Sequence, residues 1–518
     1  MQELYFPDCG KRWAPTAPIR ARALIKPSYV EETRLRLSKT TEATKKSRFG
    51  QFLTSATTAS FMAGLFPPAD GSCRLLDAGA GIGSLCAAFL ERWSSGGFGF
   101  QRVDLDAFEI DDTLHSHLTQ TLAQYRADAF GFKAHGIDFI HAAVDSLSGS
   151  LFAKALPGYT HAILNPPYKK INSDSAHRLA LRRVGIETVN LYSAFVALAV
   201  ALTELGGQIV AIIPRSFCNG PYYRPFRDFI LERAAIRHMH LFDSRSKAFR
   251  DDDVLQENII VHLERGGQQG PVTVSTSTDD SFSDLTAHEH PFARIVFPDD
   301  LGRFIHVPTS PEMSAIDLSE EIRCSLDDLG IKVSTGPVVD FRLKEHLRDM
   351  PEPGTVPLLY PGHFTGSGTT WPIEGMKKPN AIERNAETEK WLYPNGFYCV
   401  VRRFSSKEEK RRIVASVVDP GAFDDAAMLG FENHLNLFHE NKGGLPQALA
   451  CGLAVFLNTT AVDKAFRRFS GHTQVNATDI KLMKYPSRDT LIALGQWAMQ
   501  QGELTQATID GKFGSLFA

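Results

Sequence analysis

Arg74-Leu75-Leu76-Asp77-Ala78-Gly79-Ala80-Gly81-Ile82-Gly83-Ser84-Leu85 reads as an apolar strand, a glycine bend and the start of a helix. Gly79, Gly81 and Gly83 let the backbone turn sharply and come close to a ligand, because no Cβ stands in the way. The spacing is Gly-x-Gly-x-Gly, not the Gly-x-Gly-x-x-Gly of dinucleotide binders. Asp77, at the strand tip, suits a cationic or amino group. A cofactor with an amino-acid head fits this bend better than a pyrophosphate does.

Working outward, Arg102 to Ile110 alternates as a second strand. Glu109 falls where doubly wound folds place a ribose-binding carboxylate, and Ile110 would offer an apolar face to a purine. The same carboxylate would also serve as the N-terminal charge of the helix that follows. Lys133 to Ile140 reads as a third strand, with Asp138 and Phe139 at its end to take the amine and the face of an adenine. Ala162-Ile163-Leu164-Asn165-Pro166-Pro167-Tyr168 is a fourth strand that stops at a polar residue, two prolines and an aromatic. The prolines fix φ and donate no N–H, which makes a stiff corner. Such a corner is a good strand stop in itself. It also suits a planar amine: the Asn165 side-chain oxygen and the Pro166 carbonyl can accept two N–H bonds while Tyr168 stacks on the ring. A helix over Val189–Leu205 closed by Gly206-Gly207, a strand over Gln208–Ile213, a helix over Pro221–Ala235, and strands over Ile236–Phe242 and Asn258–Leu263 complete the pattern. Strand alternating with helix predicts an α/β, Rossmann-like, doubly wound and mostly parallel sheet. Ligands of such sheets sit at the carboxyl ends of the strands, where Asp77, Glu109, Asp138 and Asn165 all fall.

These residues resemble the amino-methylating DNA methyltransferases, specifically the gamma-group adenine-N6 enzymes of restriction–modification systems. Asp77 to Gly83 resembles their S-adenosylmethionine loop, and Asn165-Pro166-Pro167-Tyr168 their catalytic tetrapeptide. Gly50-Gln51-Phe52-Leu53-Thr54 is similar to the segment before the cofactor loop, with Ser55 where many relatives carry proline. Asn190 to Phe195 and Arg245 to Asn258 resemble the Eco57I-type and PstI-type branch. The resemblance implies a site-specific DNA methyltransferase that moves a methyl group from S-adenosylmethionine to N6 of a flipped adenine in double-stranded DNA. Thr54 would join the cofactor contacts, and Phe249 would join Tyr168 in stacking on the base. It leaves room for a cognate restriction endonuclease encoded separately. The alternative is a methyltransferase acting on an amine or amide of RNA or protein, since Asn-Pro-Pro-Tyr occurs there too.

Composition sets the remaining bounds. The 518 residues carry a formal net charge of -3, so any basic surface for nucleic acid must be local. The 7 cysteines form no Cys-x-x-Cys pair, and neither a metal site nor a disulfide framework is expected. The start has no basic-then-apolar leader and no apolar stretch is long enough to span a bilayer, which predicts a cytoplasmic protein without a membrane partner. The expected units are an N-terminal arm over 1–45 without chemistry, a cofactor-binding catalytic domain over 46–265, and an α+β target recognition domain over 266–518. The last unit follows the break at Gly266 to Pro271. Within it, Phe431 to Asn436 and Gly471 to Asp479 are dense in groups that read base edges or make internal turns.

Overall fold

The computed structural model describes residues 29–40, 53–125, 127–149, 155–243, 257–298, 300–310, 316, 319–365, 368–405, 409–423, 426–469 and 474–517. Its first half is built on a nine-stranded sheet of order β3-β2-β1-β4-β5-β7-β6-β8-β9. The strands are β1 (Asp70–Ala78), β2 (Gly99–Phe108), β3 (Phe130–His135), β4 (Tyr159–Leu164), β5 (Thr203–Pro214), β6 (Ala234–Phe242), β7 (Asn258–Arg265), β8 (Val272–Ser277) and β9 (Thr286–His290). β1 to β5 run parallel, whereas β7 lies antiparallel between β5 and β6.

The central strands read as unbroken apolar runs because both faces of the sheet are covered. Side chains alternate between the faces. Ile209, Ala211 and Ile213 of β5 join the core on one face, and Val210 and Ile212 join the core on the other. The first face carries helices Phe139–Leu147, Ala176–Arg183, Leu191–Leu202 and Arg224–Arg233; the second carries Ala56–Gly64, Ser84–Ser94 and Asp112–Ala123. The sheet is doubly wound and mostly parallel, as the sequence predicts.

Three boundaries differ from expectation. The third strand stops at His135, and Asp138 instead caps the helix Phe139–Leu147 by accepting the His141 N–H at 3.0 Å. The helix expected to reach Leu205 ends at Leu202, and β5 takes over at Thr203 and carries Gly206-Gly207 within it. The expected unit boundary at 265/266 falls inside the sheet: β8 pairs in parallel with β6 and β9 pairs on β8. Ser55 links the two ends of this unit. It caps the helix Ala56–Gly64 and donates to Asp280 Oδ2, in the β8–β9 connection, at 2.8 Å. The helix Tyr29–Thr40 belongs to the arm assigned no chemistry, yet its Val30 packs with Ile82 of the glycine bend.

The second half is α+β. A four-stranded sheet has the order Lys332–Thr335, Leu435–His439, Tyr398–Arg402, Ala415–Val418. A five-stranded sheet has the order Leu347–Arg348, Ala381–Glu383, Thr355–Leu359, Met428–Phe431, Leu392–Pro394. Helices Gln447–Leu457, Thr460–Phe469, Ala477–Lys481, Arg488–Met499 and Gln506–Phe517 close it. No single helix among the described residues is long and apolar enough to cross a membrane.

Candidate active site

The glycine bend and the proline corner meet at the carboxyl ends of β1 and β4, which lie side by side. Gly79 (φ +78°) sits so close that an added Cβ would lie 3.6 Å from the Pro167 ring and 3.7 Å from the Asn165 carbonyl. The Gly79 and Ala80 amides both donate to the Phe108 carbonyl at 2.9 Å, which fixes the bend to the end of β2. Gly81 and Gly83 also hold positive φ, at +58° and +88°, in the region where a side chain is strained.

Asn165 is held from both ends. Its Nδ2 donates to Thr54 Oγ1 at 2.9 Å, and its Oδ1 accepts from the Tyr168 hydroxyl at 3.1 Å. Thr54 and Tyr168 thereby pin the Asn165 amide from both ends. The Tyr168 hydroxyl also reaches the Ile212 carbonyl of β5 at 3.2 Å. Burial pushes the Tyr168 phenol well above its usual range, so it remains a donor at every working pH. The ring is half-buried and meets Tyr192 edge-on, centroids 6.2 Å apart. Pro166 is buried and Pro167 half-buried.

On the cofactor side, Asp77 is fully buried and neither carboxylate oxygen has a hydrogen-bond partner. Burial pushes it up to about 7, opposed by the facing thiol and backbone amide of Cys86. Glu109, 4 % exposed, accepts the Gly81 N–H at 2.9 Å on Oε2 and the Asp111 N–H at 2.8 Å on Oε1. Burial raises this carboxyl as well. Ile110 is 53 % exposed.

Two expectations need correction at the third strand. Phe139 is 2 % exposed and packs on Phe108 and Phe195, centroids 5.1 Å away in each case, so its ring face is not open to an adenine. The exposed apolar neighbour is Ile137, 53 % accessible, which sequence reasoning passed over although it adjoins Asp138. Asp138 is engaged: its Oδ2 meets His177 Nε2 at 2.8 Å, a contact that lowers the Asp138 pKa against the opposing effect of burial. His141 closes on the same point, and the ligand atoms of Asp138, His141 and His177 lie within 4.8 Å of one another. The sequence gives no sign of this set of metal-capable groups, because His177 arrives from a helix beyond the proline corner. Phe249, and most of Arg245 to Asn258, lie outside the described residues.

A parallel sheet with one antiparallel strand between β5 and β6, a glycine bend after β1 and a polar corner after β4 define a methyltransferase of the S-adenosylmethionine-dependent fold. The family model described as Eco57I restriction-modification methylase matches residues 25–249. The chain is 55 % identical to Type II methyltransferase M.BsuBI of Bacillus subtilis, covering 91 % of this chain and 94 % of the relative. It is 42 % identical to Type II methyltransferase M.PstI of Providencia stuartii, over 93 % of this chain and 95 % of that one. Among solved structures, a DrdV–DNA complex matches with a TM-score of 0.50 and 11 % identity, covering 90 % of this chain and 59 % of that chain. The chain belongs to the Eco57I restriction-modification methylase family, and its cofactor is S-adenosylmethionine. The residues present fit that cofactor. Asp77 is buried with neither carboxylate oxygen hydrogen-bonded, and Gly79, Gly81 and Gly83 all hold positive φ, which keeps the bend free of side chains beside the proline corner.

Proposed function

We propose that this enzyme methylates N6 of adenine in double-stranded DNA at a specific sequence, acting on a base flipped out of the stack. The amine to be modified is buried within the duplex, so the base must leave it to be reached. Asp77, Gly79, Gly81, Gly83, Glu109 and Ile110 hold the cofactor, with Asp138 at the adenine end and Thr54 acting through Asn165. The backbone at Phe139, rather than its ring, lines that end. When bound, the cofactor supplies an electrophilic sulfonium methyl.

The chain's part is to make a reluctant nitrogen reactive. The N6 lone pair is delocalised into the purine ring and is a poor nucleophile. Asn165 Oδ1 and the Pro166 carbonyl accept the two N6–H bonds and draw the lone pair out of conjugation. Thr54 and Tyr168 keep the Asn165 amide oxygen turned toward the base. Tyr168 stacks on the ring, with Phe249, which lies outside the described residues, as the second stacking residue the family resemblance implies. The bound cofactor would supply the methyl carbon and keep the sulfur–carbon bonding pair, while Asn165 Oδ1 and the Pro166 carbonyl hold the two N6 protons, one of which would leave to solvent. Positioning supplies most of the acceleration, since no covalent enzyme adduct is needed.

The observation that carries this reading is the contact between Gly79 and the Asn165–Pro167 corner, with the amide of Asn165 already oriented. The second half, residues beyond about 310, serves as the target recognition domain, and a separately encoded restriction endonuclease cutting the same site is the expected counterpart. The test is to incubate the protein with methyl-labelled cofactor and duplex DNA, then digest the DNA to nucleosides. N6-methyldeoxyadenosine is expected. Label in cytosine, in RNA or in protein, with none in adenine of DNA, overturns the proposal.

A further inference from the structure

The two donor-rich stretches of the second half converge in space. Phe404 forms an antiparallel bridge with Gln474, and the Val475 amide donates to the Arg403 carbonyl at 2.7 Å. On the other side the Arg403 amide donates to the His434 carbonyl at 2.8 Å. A third strand of chain joins here, because the Asn433 amide donates to the Val338 carbonyl at 2.9 Å. That places Phe341 and Arg342, just beyond Val338, beside the same surface.

Most of the polar side chains in these stretches are committed inward. Asn436 is buried and spans Thr335 Oγ1 and the Val475 carbonyl. Asn476 and Asp479 form a helix cap, and Glu432 is buried against the His434 ring and amide. What is left outside is of another kind. Phe341 and Phe404 are 63 % and 41 % exposed. Each has an arginine over it, Arg342 at 5.5 Å and Arg403 at 5.9 Å from the ring centroid. His434 stacks at a tilt on Phe404, centroids 4.6 Å apart, with Nδ1 held by Glu432 so that Nε2 is left for a ligand. The Arg403 guanidinium and the Gln474 amide hold each other at 3.1 Å. Asp340, a carboxylate that faces His434, is neutralised by Lys378 at 2.7 Å. Exposed aromatic faces interleaved with arginine are costly on a free surface and suit nucleic acid.

The position matches as well. Described residues on both sides of Gln474, Arg467, Arg468 and Asp479, touch the first half. Arg215 Nη2 donates to the Arg467 carbonyl at 3.2 Å, the Val307 amide to the Arg468 carbonyl at 3.0 Å, and Asn219 Nδ2 to Asp479 at 3.5 Å. Arg215 directly follows β5, whose Ile212 carbonyl receives the Tyr168 hydroxyl.

We propose that Arg403, Phe404, His434 and Gln474, flanked by Phe341 and Arg342, are the surface with which this chain reads base edges of duplex DNA. This rests on the DNA reading above. Arginine and glutamine are the side chains that bind guanine and adenine edges in a bidentate manner. In the free protein Arg403 Nη2 donates to Gln474 Oε1 while Nη1 donates to the Asn433 carbonyl at 3.1 Å; on DNA the Nη2–Gln474 bond is exchanged for contacts to base edges, the Nη1 bond keeping the guanidinium aimed. The exposed phenylalanines supply apolar contact to thymine methyls or to an unstacked step.

The test begins with the wild type, which methylates plasmid DNA so that mapping the modified adenines defines its site. A wild type that modifies no DNA removes the underlying reading, and the assignment falls with it. With the site known, a labelled short duplex carrying it and a scrambled duplex are titrated with wild type, Arg403→Ala, Phe404→Ala and Gln474→Ala. Unchanged S-adenosylhomocysteine affinity and melting temperature show that a variant is folded. Preference for the site over the scrambled duplex is expected to drop by about tenfold or more in Arg403→Ala and Gln474→Ala, the scale of one lost bidentate contact. The mapped methylation should then relax at single positions. Should Arg403→Ala fail to fold, the exposed Phe404 and the Gln474 variant carry the test. Folded variants with unchanged preference, or with equal loss on both duplexes, overturn the assignment.

Discussion

At the residue scale, the site depends on two side chains placed against their ordinary preferences. Asp77 lies wholly inside the protein with no hydrogen-bond partner, and burial raises its carboxyl to about 7. An acid raised in the folded state binds its proton more tightly there than when unfolded. Its cost to stability is therefore absent below its unfolded value, grows as pH rises, and is complete above about 7. Asp77→Asn should raise the melting temperature of the cofactor-free protein at pH 8 and have little effect near pH 4, while weakening cofactor binding. Equal melting shifts at both pH values would contradict this. Tyr168 is the second case. Its hydroxyl tethers Asn165, and its ring is the stacking surface of the proposed function. Tyr168→Phe keeps the ring and loses the tether, so kcat should fall by about tenfold to a hundredfold with KM for DNA little changed, on the scale of one lost orienting hydrogen bond. A rise in KM with kcat intact would place the hydroxyl in binding instead.

At the scale of elements, the pieces that were legible are those whose local chemistry agrees with their final environment. Alternate burial on both faces of β4 and β5 makes their apolar runs unmistakable, and the glycines after β1 have no other reason to be so spaced. The strand end is marked by Gly136, but a single glycine inside an apolar run reads as readily as a bulge within a strand, which is why Asp138 is expected at a strand tip. The chain leaves the sheet after His135, and Asp138 then acts as a helix cap, which is as natural a use of aspartate as a strand tip. Gly206-Gly207 looked like a helix stop, yet Thr203 already belongs to β5, since strand pairing with β4 outweighs the helix preference of Glu204 and Leu205. The partnership of His177 with Asp138 and the convergence of Arg403 with Gln474 join residues far apart in sequence, and no local signal reports them. The same holds for the helix pair Gln447–Leu457 and Arg488–Met499. A Cβ on Gly452 would stand 1.8 Å from the Leu491 carbonyl oxygen, and one on Gly495 1.7 Å from that of Ala448. Gly452→Ala must push the two helices apart. A loss of about 3 kcal/mol, the upper end of overpacking costs, is expected in denaturant unfolding. A variant as stable as the wild type would show that these helices are not packed at the observed distance.

At the scale of the whole molecule, the two halves meet at a buried arginine of the first half, whose charge is paired within that half. Arg215 and Glu257 meet at 2.9 Å with side chains 3 % and 2 % exposed, and Arg215 also donates to carbonyls at the end of the helix Thr460–Phe469. Arg215 directly follows β5 and Glu257 directly precedes β7. Arg215→Ala leaves Glu257 buried without its cation, which costs about 3–5 kcal/mol. Unfolding should then begin at lower denaturant, and Arg215→Ala combined with Glu257→Gln should recover part of the loss. An unchanged midpoint in the single variant would refute this role. Joining the halves through β5 makes structural sense, because β5 also supports Tyr168 through the Ile212 carbonyl. Under the proposals above, β5 would hold the Arg403–Gln474 surface of the second half in fixed relation to the Asn165 amide.

The central claim is that an oriented amide beside the cofactor bend makes an exocyclic amine nucleophilic. Single-turnover methyl transfer by Asn165→Ala, measured alongside its affinity for S-adenosylmethionine, tests this most directly. The rate is expected to fall by about a thousandfold or more, in line with loss of a group made for the transition state, while cofactor affinity stays within a few-fold of the wild type. Transfer at the wild-type rate, or a loss explained wholly by failure to bind the cofactor, would contradict it.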